Sequence, residues 1–393
     1  MEYELAVLSK LVSFNTDSTT KSFYTECAQY IAEECEKLGL KVDVLDAKGL
    51  AEDGKPRPNV IAELPGKDRG KRILLATHYD VVPAGPGWTK DPFKLTLEGG
   101  RAYGRGAGDD KSAIAAVLGA FKKIADEGME PRNTLVLLAT CDEEVGGKLG
   151  LGYVLEKGVS GDAAVVIDAG PEYVAIGASG IIWGKIVVRG KQAHAAYPFL
   201  GKNAIVDAAR LVLALEDYRK MIEQRESKYK ASPGSPKEKV WPRFNITIIR
   251  AGVKENVIPG ECELFFDRRM IPDEDAEEAS EELERFVYNK AKELGIHAEY
   301  KEMRKGGQYA TDPEHPFVKT FLEIASRVYG QKLSTGVMLG GNDGHYFASK
   351  GIPVISFGCV RIDCNFHGKD EFVYVDDVFK MRDIVVELGA AEF

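Results

Sequence analysis

Short apolar strands alternate with helices along most of the chain, and this alternation limits the folds that the chain can adopt. Residues 135–139 are continuously apolar, which is typical of a strand buried on both faces. Residues 112–125 form an Ala-rich pattern that predicts a helix, and apolar residues at a spacing of three to four predict another helix from Thr19 to Leu38. The alternation predicts an α/β fold with a mixed, largely parallel sheet and helices on both faces. In such sheets, ligands bind at the carboxyl ends of the strands.

The pattern changes near Gly180. Strands are predicted at 181–189, 245–250, 261–268 and 297–303, and helices at 203–215 and 273–294. Asp273 is the predicted N-cap of the second helix. The resulting β-α-β-β-α-β order is typical of a ferredoxin-like α+β domain. We therefore predict one domain formed by residues 1–179 and 304–393, with a ferredoxin-like domain inserted at 180–303.

The composition limits the partners that the chain can bind. Acidic residues outnumber basic ones by 61 to 52, which gives a net charge of -9 and argues against a nucleic-acid partner. We find no apolar run of membrane-spanning length and no targeting motif, so we expect no membrane partner. The six cysteines are scattered without a C-x-x-C pair. This pattern fits a reducing compartment, and we expect a cytoplasmic protein.

Three consecutive acids, Asp142, Glu143 and Glu144, follow the apolar strand at 135–139, and two glycines come soon after them. Alone, such a run most often forms a solvated acidic loop. Neighbouring carboxylates repel one another, so their burial is costly unless a cation compensates it. Further metal-ligating residues at the same sheet edge would favour a metal site.

Such residues follow several other predicted elements: His78 and Asp80 after the strand at 72–77, Asp109 in the glycine-rich turn before the helix at 112, Asp168 at the end of the strand at 163–168, and His367 after the strand at 353–357. His78 and Asp80 share a face because residues two apart in a strand point the same way. A set of two histidines and three carboxylates suits two zinc ions that share a carboxylate.

Two other chemistries fit the sequence less well. A phosphate-binding loop requires G-x-x-x-x-G-K-[ST], but Lys111 follows Asp110 rather than glycine, and the carboxylates of Asp109 and Asp110 would repel phosphate. A serine nucleophile lacks the G-x-S-x-G motif. Cys141 lies beside acids that would raise the pKa of its thiol, so it is a poor nucleophile.

Together these motifs resemble the metallopeptidase family that contains carboxypeptidase G, acetylornithine deacetylase and succinyl-diaminopimelate desuccinylase. The resemblance covers nearly the whole chain, and its motifs occur in the same order as in the family. Its motifs are Thr77-His78-Tyr79-Asp80, Tyr103 to Lys111, Asp142 to Gly147, Asp168, Gly190 to Pro198, Asn256-Val257-Ile258-Pro259, Asp267-Arg268-Arg269, Gly340-Gly341-Asn342-Asp343, and His367 followed by Glu371.

The resemblance implies a role for each matching residue. His78, Asp109 and Asp168 would hold one zinc ion, and Asp109, Glu144 and His367 would hold the other. Asp80 would orient His78, and Glu143 would be the general base. The inserted domain would form a homodimer and cover the site like a lid, with His194 stabilising the oxyanion in the neighbouring subunit. The implied substrate contacts are Asn256, Arg269, Gly340 and Gly341.

The implied activity is hydrolysis of an amide bond in a small N-acyl amino acid, as in the deacetylases and desuccinylases of the family. A hydroxide that bridges two Zn²⁺ ions would attack the carbonyl carbon, and Glu143 would return the proton to the leaving amine. Co²⁺ or Mn²⁺ could occupy the same ligands. The implied partner is thus a small-molecule substrate.

Some positions depart from the deacylase pattern. Most deacylases of the family carry Glu where this chain has Asp168, whereas the aminopeptidase and dipeptidase branch carries Asp. Ser179 stands where desuccinylases carry Arg, so one expected carboxylate contact is absent. His345 stands where the family usually has Arg. A dipeptidase, carboxypeptidase or aminopeptidase is therefore an alternative, and a catalytically inactive binding or assembly module is another.

Overall fold

The computed structural model describes residues 1–393, except for the side chains of residues 68–70. The helices are α1 (Tyr3–Val12), α2 (Tyr24–Lys37), α3 (Lys111–Asp126), α4 (Tyr153–Glu156), α5 (Ala204–Ile222), α6 (Ala276–Leu294), α7 (Pro316–Tyr329), α8 (Gly344–Ser349) and α9 (Val375–Ala390).

The strands, in chain order, are β1 (Lys41–Asp46), β2 (Pro58–Leu64), β3 (Asp68–His78), β4 (Thr96–Glu98), β5 (Arg101–Tyr103), β6 (Asn133–Thr140), β7 (Ala163–Val166), β8 (Val174–Ala178), β9 (Gly180–Arg189), β10 (Ala193–His194), β11 (Arg243–Ala251), β12 (Val257–Ile258), β13 (Glu261–Met270), β14 (His297–Gly306), β15 (Tyr309–Ala310), β16 (Thr335–Met338), β17 (Val354–Ser356) and β18 (Phe372–Tyr374).

The chain divides into two compact units. The first unit comprises residues 1–177, 310–336 and 342–393, and the second comprises residues 178–309 and 337–341. The corresponding boundaries predicted from the sequence are residues 180 and 303. The catalytic and dimerisation roles of the two domains stay predictions.

A mixed sheet forms the centre of the first unit, with the strand order β1-β2-β6-β3-β7-β17-β8. β3 runs parallel to β6 and β7, and β17 runs parallel to β7. β2 is antiparallel to both β1 and β6. All residues of β6 are buried, as expected for the apolar run at 135–139. The predicted mixed α/β fold class is confirmed.

The second unit contains an antiparallel sheet with the order β11-β13-β9-β14. The elements follow one another as β9-α5-β11-β13-α6-β14, which is the predicted ferredoxin-like order. One face of the sheet packs with α5 and α6 around buried apolar residues that include Ile182, Leu211, Phe244, Leu264 and Leu283. This packing explains why apolar side chains alternate along β13, whose burial also alternates.

Two predicted helix starts are wrong. α2 begins at Tyr24 rather than at Thr19, because Lys21 and Phe23 adopt left-handed φ angles of 57° and 55°. α6 begins at Ala276, and its N-cap is Asp275 rather than Asp273. The Asp275 side chain accepts hydrogen bonds from the backbone N–H groups of the first turn.

No helix in the described part of the chain combines the length and apolar character that crossing a membrane requires.

Candidate active site

Three predicted motifs meet at one edge of the first unit's sheet because their strands are parallel neighbours. In the β-sheet register, His78 at the end of β3 pairs with Thr140 at the end of β6. Ala76 of β3 pairs with Val166 at the end of β7. The segments that leave these strands therefore emerge side by side. They carry His78 and Asp80, the acids at 142–144, and Asp168.

The five predicted metal ligands form two groups of three that share Asp109. The first group is His78, Asp109 and Asp168, and the second is Asp109, Glu144 and His367; within each group the ligand atoms lie within 4.8 Å of one another. His78 Nε2 is 3.0 Å from Asp109 Oδ1. His367 Nε2 is 3.2 Å from Asp109 Oδ2 and 3.1 Å from Glu144 Oε2. The two oxygens of Asp109 thus face different histidines.

The chemistry of these ligand atoms fits two divalent cations. Imidazole and carboxylate groups are ligands that Zn²⁺, Co²⁺ and Mn²⁺ accept. Glu144 Oε1 is buried and has no hydrogen-bond partner among the described residues. Burial raises the pKa of Glu144. Burial and the nearby charge of Asp109 raise the pKa of Asp168 to about 7. Cations at this position would compensate the buried negative charge.

Neighbouring carboxylates raise the pKa of both histidines. Hydrogen bonds with Asp109 and Glu144 raise the pKa of His367 to about 10. Burial opposes protonation of His78, but hydrogen bonds with Asp109 and Asp80 raise its pKa above the ordinary value. Burial alone would raise the pKa of Asp109, whereas hydrogen bonds from both histidines lower it. The cluster therefore attracts positive charge, whether as protons or as metal ions.

Asp80 connects the His78 segment to the acidic turn. Its carboxylate accepts hydrogen bonds from the backbone N–H groups of Glu143 and Glu144, both at 3.2 Å. His78 Nδ1 lies 3.0 Å from the backbone oxygen of Asp80 and 3.5 Å from its carboxylate Oδ1. Because Nδ1 faces these acceptors, Nε2 is left to face the metal-ligand groups.

Glu143 and Glu144 are adjacent in the 3₁₀ turn Glu143–Val145, but their side chains reach different places. Glu144 reaches His367, whereas Glu143 lines a cavity of about 10 Å³ together with His78, Asp168 and Asp343. That volume is close to the space needed by one water molecule. Burial, and then the charge of Asp343, raise the pKa of Glu143.

Gly147 allows the chain to approach Asp343. Its φ is +64°, and a Cβ at this position would lie 2.3 Å from Asp343 Oδ1. Any other residue would therefore clash with the Asp343 carboxylate unless that side chain moved. This close approach explains why glycine follows the acidic run.

Asp142 belongs to a different network from the two glutamates. It is buried, with a left-handed φ of 61°. Its carboxylate accepts hydrogen bonds from Lys21 Nζ at 2.9 Å, Arg57 Nε at 2.5 Å and the Tyr24 hydroxyl at 3.2 Å. Asp142 therefore anchors the acidic turn to the N-terminal part of the chain. The sequence assigned it no role because its partners are 85 to 121 residues away.

Glu371 is a supporting residue whose role the sequence did not reveal, although it belongs to the final motif. It is fully buried, and its Oε1 accepts hydrogen bonds from the N–H groups of Gly108 at 2.9 Å and Asp109 at 3.0 Å. Its other oxygen forms an ion pair with Arg105. Burial raises the pKa of Glu371 to about 7, and the Arg105 charge opposes this shift. Glu371 thus fixes the turn that presents Asp109.

His345 lies in the first unit, two residues after Asp343. Its Nδ1 is 3.0 Å from the backbone oxygen of Asn342. Its ring contacts that of Tyr346, with 4.0 Å between the ring centres. These contacts place it on the helix that follows the cavity-lining Asp343.

The remaining predicted residues belong to the second unit. His194 is exposed and lies in β10, which pairs with β12. The N–H of Ala195 donates to the backbone oxygen of Asn256 at 2.9 Å, so these two predicted residues are close in space. His194 Nδ1 accepts a hydrogen bond from the N–H of Ala196 at 3.1 Å. In the neutral ring, Nε2 therefore carries the proton.

Arg269, Gly340 and Gly341 lie at another place in the second unit. Arg269 is in β13, directly opposite Arg243 of β11. The N–H of Ser179 donates to the backbone oxygen of Gly340 at 3.0 Å. Gly340 and Gly341 are both exposed. The second unit thus holds two sets of predicted residues, one around His194 and one around Arg269.

Comparisons with known proteins identify the family of the chain. Residues 74–390 match the model of peptidase family M20/M25/M40. Succinyl-diaminopimelate desuccinylase of Wolinella succinogenes is 32% identical over 81% of this chain and 84% of the relative. Carboxypeptidase G2 of Pseudomonas sp. is 29% identical over 99% of this chain and 90% of the relative.

The fold of this chain is also similar to that of a solved structure. The M20 family metallo-carboxypeptidase Sso-CP2 of Sulfolobus solfataricus has a TM-score of 0.77 and 24% identity, and the match covers 99% of both chains. The family match and the sequence relatives together settle the kind of protein. The chain belongs to peptidase family M20/M25/M40 and is a metal-dependent hydrolase of amide bonds.

Proposed function

We propose that this hydrolase cleaves the amide bond of small N-acyl amino acids at a centre of two divalent metal ions. The observation that carries the proposal is the pair of three-residue groups that share Asp109. The desuccinylase relative, at 32% identity, supports an acyl-amino-acid substrate. The most concrete form of the proposal is a deacetylase or desuccinylase.

His78, Asp109 and Asp168 would hold one ion, and Asp109, Glu144 and His367 would hold the other. We propose Zn²⁺ for both, with Co²⁺ or Mn²⁺ as substitutes that accept the same ligand atoms. Such ions supply a Lewis acid for the amide carbonyl and lower the pKa of a bound water. Asp80 would keep the His78 ring oriented.

Glu143 would act as the general base. Its carboxylate lies in a cavity close to the size of one water molecule, beside His78 and Asp168. The raised pKa of Glu143 suits a group that accepts a proton from the attacking water and returns it to the leaving amine. Asp343, on the same cavity, would support this role by keeping that pKa high.

His194 would stabilise the oxyanion in the active site of the neighbouring subunit of a homodimer. Its exposed ring presents the Nε2 proton as a donor. β11 is an edge strand of the second unit's sheet. It exposes Ile248 and Ile249, which are 43% and 59% accessible. An exposed apolar edge strand is a surface suited to pairing with a second copy.

Asn256, Arg269, Gly340 and Gly341 would contact the substrate. We further propose a cytoplasmic location, supported by six cysteines that are all buried and free of disulfides among the described residues.

The decisive experiment on the mechanism is Glu143→Ala. We expect the variant to keep its metal, because Glu143 belongs to neither ligand group, and to lose about 10²- to 10⁴-fold in kcat. Glu156→Ala, which removes an exposed glutamate from the same unit, is the matched control and should be fully active. Unchanged turnover in Glu143→Ala would contradict the mechanism.

The homodimer is tested by mixing two inactive proteins, His194→Ala and Glu143→Ala. If His194 serves the neighbouring subunit, each mixed dimer has one intact site, and about a quarter of the wild-type activity should return after complete subunit exchange. Light scattering checks that dimers form. An active monomer, or no recovery after exchange, would rule out the role across subunits.

Carboxypeptidase G2 aligns over 99% of this chain, and this favours a peptidase as the second candidate. A panel of N-acetyl amino acids, N-succinyl amino acids and dipeptides, assayed with Zn²⁺ and with Co²⁺, separates the two. A higher kcat/KM for the acyl compounds supports the deacylase. A higher value for dipeptides supports the peptidase.

A further inference from the structure

The segment that carries Asp80 continues past the end of β3 and leaves the sheet. β3 pairs with β6 as far as His78. The N–H of the next residue, Tyr79, still donates to the backbone oxygen of Thr140 at 3.0 Å. Asp80 therefore lies just beyond the last contact with β6, and contacts from outside the sheet must fix its backbone.

A segment near the N-terminus supplies those contacts. Asp17 and Val81 form a parallel β-bridge. The N–H of Val81 donates to the backbone oxygen of Thr16 at 2.9 Å, and the N–H of Ser18 donates to the backbone oxygen of Val81 at 2.8 Å. The N-terminal segment thus takes the place of a neighbouring strand for the residue that follows Asp80.

The side chain of Thr16 makes the contact on the other side of Asp80. Its hydroxyl donates to the backbone oxygen of Tyr79 at 2.5 Å, and both residues are fully buried. Thr16 therefore binds the peptide groups on both sides of Asp80, one through its hydroxyl and the other through its backbone oxygen. A buried carbonyl that loses its donor is costly, so the hydroxyl restrains this segment.

Further contacts hold the N-terminal segment itself. Lys111 Nζ donates to the backbone oxygen of Phe14 at 2.7 Å, and the N–H of Thr16 donates to the same oxygen at 2.9 Å. On the other side of Thr16, Lys21 forms its buried ion pair with Asp142. The segment is thus tied to the first unit before and after Thr16, and it can serve as a support.

The position of Asp80 determines the geometry of two parts of the site. Its carboxylate accepts hydrogen bonds from the N–H groups of Glu143 and Glu144, both at 3.2 Å. His78 Nδ1 lies 3.0 Å from its backbone oxygen. A distance of 3.2 Å is at the upper end of the normal range, so a small displacement of Asp80 would break the bonds to the acidic turn.

We propose that Thr16 is a positioning residue that sets the orientation of His78 and of the acidic turn through the peptide groups on either side of Asp80. This inference rests on the proposed function, which assigns His78 and Glu144 as metal ligands. Thr16 belongs to neither ligand group. It therefore acts on metal binding indirectly, through the geometry of the ligands.

Thr16→Val tests the proposal because valine keeps the shape of threonine and removes the hydroxyl. The probe is Co²⁺, titrated into the metal-free protein without substrate and followed by its visible absorption. We expect the Co²⁺ affinity to fall about 10-fold, at the lower end of the effect of groups that orient a ligand. Thr16→Ser keeps the hydroxyl and should bind nearly as tightly as the wild type. Thr16→Ala, which also lacks the hydroxyl, serves if the valine variant does not fold.

Thr311→Val is the matched control. Thr311 Oγ1 also donates to a backbone oxygen in a buried position, that of Val354 at 2.6 Å. Val354 begins β17, which runs parallel to β7, so it lies at the opposite end of the strands from the acidic turn. Both variants should lose stability in denaturant, but only Thr16→Val should weaken Co²⁺ binding. Equal Co²⁺ affinity in the two variants, whether lowered or unchanged, overturns the proposal.

Amide hydrogen exchange in the metal-free protein reports on the acidic turn directly. The N–H groups of Glu143 and Glu144 should exchange faster in Thr16→Val than in Thr311→Val, because their acceptor is the Asp80 carboxylate. Equal exchange of these groups in the two variants would contradict the proposed role of Thr16.

A double-mutant cycle identifies the route of the effect. In an Asp80→Ala protein, Thr16→Val should weaken Co²⁺ binding no further, because the residue that transmits the effect is already lost. If the two losses add in full, Thr16 acts by a route that does not include Asp80, and the proposal is wrong.

The Co²⁺ titration needs no turnover, so it separates this inference from the proposed function. A protein that hydrolyses no N-acyl amino acid, but whose Co²⁺ affinity depends on Thr16 and Asp80 in this coupled way, supports the inference and rejects the proposed substrate. A protein that hydrolyses N-acyl amino acids, with a Co²⁺ affinity indifferent to Thr16→Val, does the reverse.

Discussion

The two units hold opposite excesses of charge. In the first unit, Asp109, Glu144 and Asp168 gather around two histidines, so carboxylates meet without enough cations. In the second unit, Arg243 and Arg269 meet across a pair of strands with one carboxylate between them, so guanidiniums meet without enough anions. Buried charge that the protein does not balance internally is relieved by a shift in pKa or by a bound counter-ion.

Each unit also holds charges that are already paired within the fold. Asp142 lies next to Glu143, yet its carboxylate is already satisfied by Lys21 and Arg57. Arg268 lies next to Arg269, yet it is buried and paired with Glu274. In each unit, one residue of a charged run forms ion pairs that stabilise the fold. The residue beside it lies outside that network.

The largest effect should come from the residue common to both metal groups. Asp109→Ala removes a ligand from each group, and we expect loss of both metal ions and a fall in kcat/KM of roughly 10⁴-fold or more. Elemental analysis and turnover measure these losses. Asp126→Ala, at the end of the adjacent helix α3, should keep both ions. Two ions retained by Asp109→Ala would contradict the shared-carboxylate arrangement.

Asp142→Asn should destabilise the fold rather than remove the metal. It leaves the buried Lys21 and Arg57 without their shared carboxylate, which should cost about 3 kcal/mol in the free energy of unfolding. Asn also tolerates the left-handed φ. Denaturant unfolding measures the loss, and Asp53→Asn, which removes the more exposed partner of Arg57, should cost less. Loss of metal without loss of stability would show that Asp142 supports the metal site rather than the fold.

Glu371→Gln should weaken metal binding without abolishing catalysis. The amide lacks the charge that pairs with Arg105 and is a weaker acceptor for the N–H of Asp109, so we expect metal affinity to fall about 10- to 100-fold. Excess metal should restore most of kcat. A metal titration followed by activity tests this, with the exposed Glu314→Gln as control. Unchanged affinity would mean that the Asp109 turn is fixed by other contacts.

A smaller effect is expected on the stability of the metal-free protein, which should depend on pH. The pKa of Asp168 is raised from 3.8 to about 7, so its protonated form is favoured by folding, and stability is lost as the pH rises through that value. His367, raised to about 10, acts in the same direction at higher pH. Asp109, whose pKa is lowered, titrates below this window.

Tm of the chelated protein should therefore fall by a few degrees between about pH 5 and pH 8. Scanning calorimetry measures the trend, and Asp168→Asn should reduce it without removing it, because the pKa of Glu371 is also raised to about 7. A Tm that rises with pH over this range would show that the carboxylates of the first unit are already balanced within the protein.

Local patterns made much of the architecture predictable. The apolar run in β6 and the strand-helix alternation follow from the sequence because burial on both faces selects continuous apolar residues. The residues that meet at the sheet edge were predictable because parallel strands end together. The start of α2 was not predictable, because Lys21 and Phe23 adopt left-handed φ angles although neither residue is glycine.

Long-range contacts explain what the sequence could not supply. Glu371 bonds to a backbone N–H 262 residues away, and a backbone group leaves no signal in side-chain patterns. The Arg243–Arg269 pair depends on the register of β11 with β13, which includes an irregularity between Ile246 and Ile248. A slip of one residue would move Arg243 to the other face of the sheet.

The sequence by itself thus determined the fold class, the insertion of the second sheet and the set of acids and histidines. Periodicity and residue chemistry are local properties, and they sufficed for these. Only the tertiary structure decided that Glu143 lines the cavity while Glu144 reaches His367, that Asp142 is an anchor, and that two arginines stand opposite each other. Those distinctions depend on distances between distant segments, which burial and strand register fix.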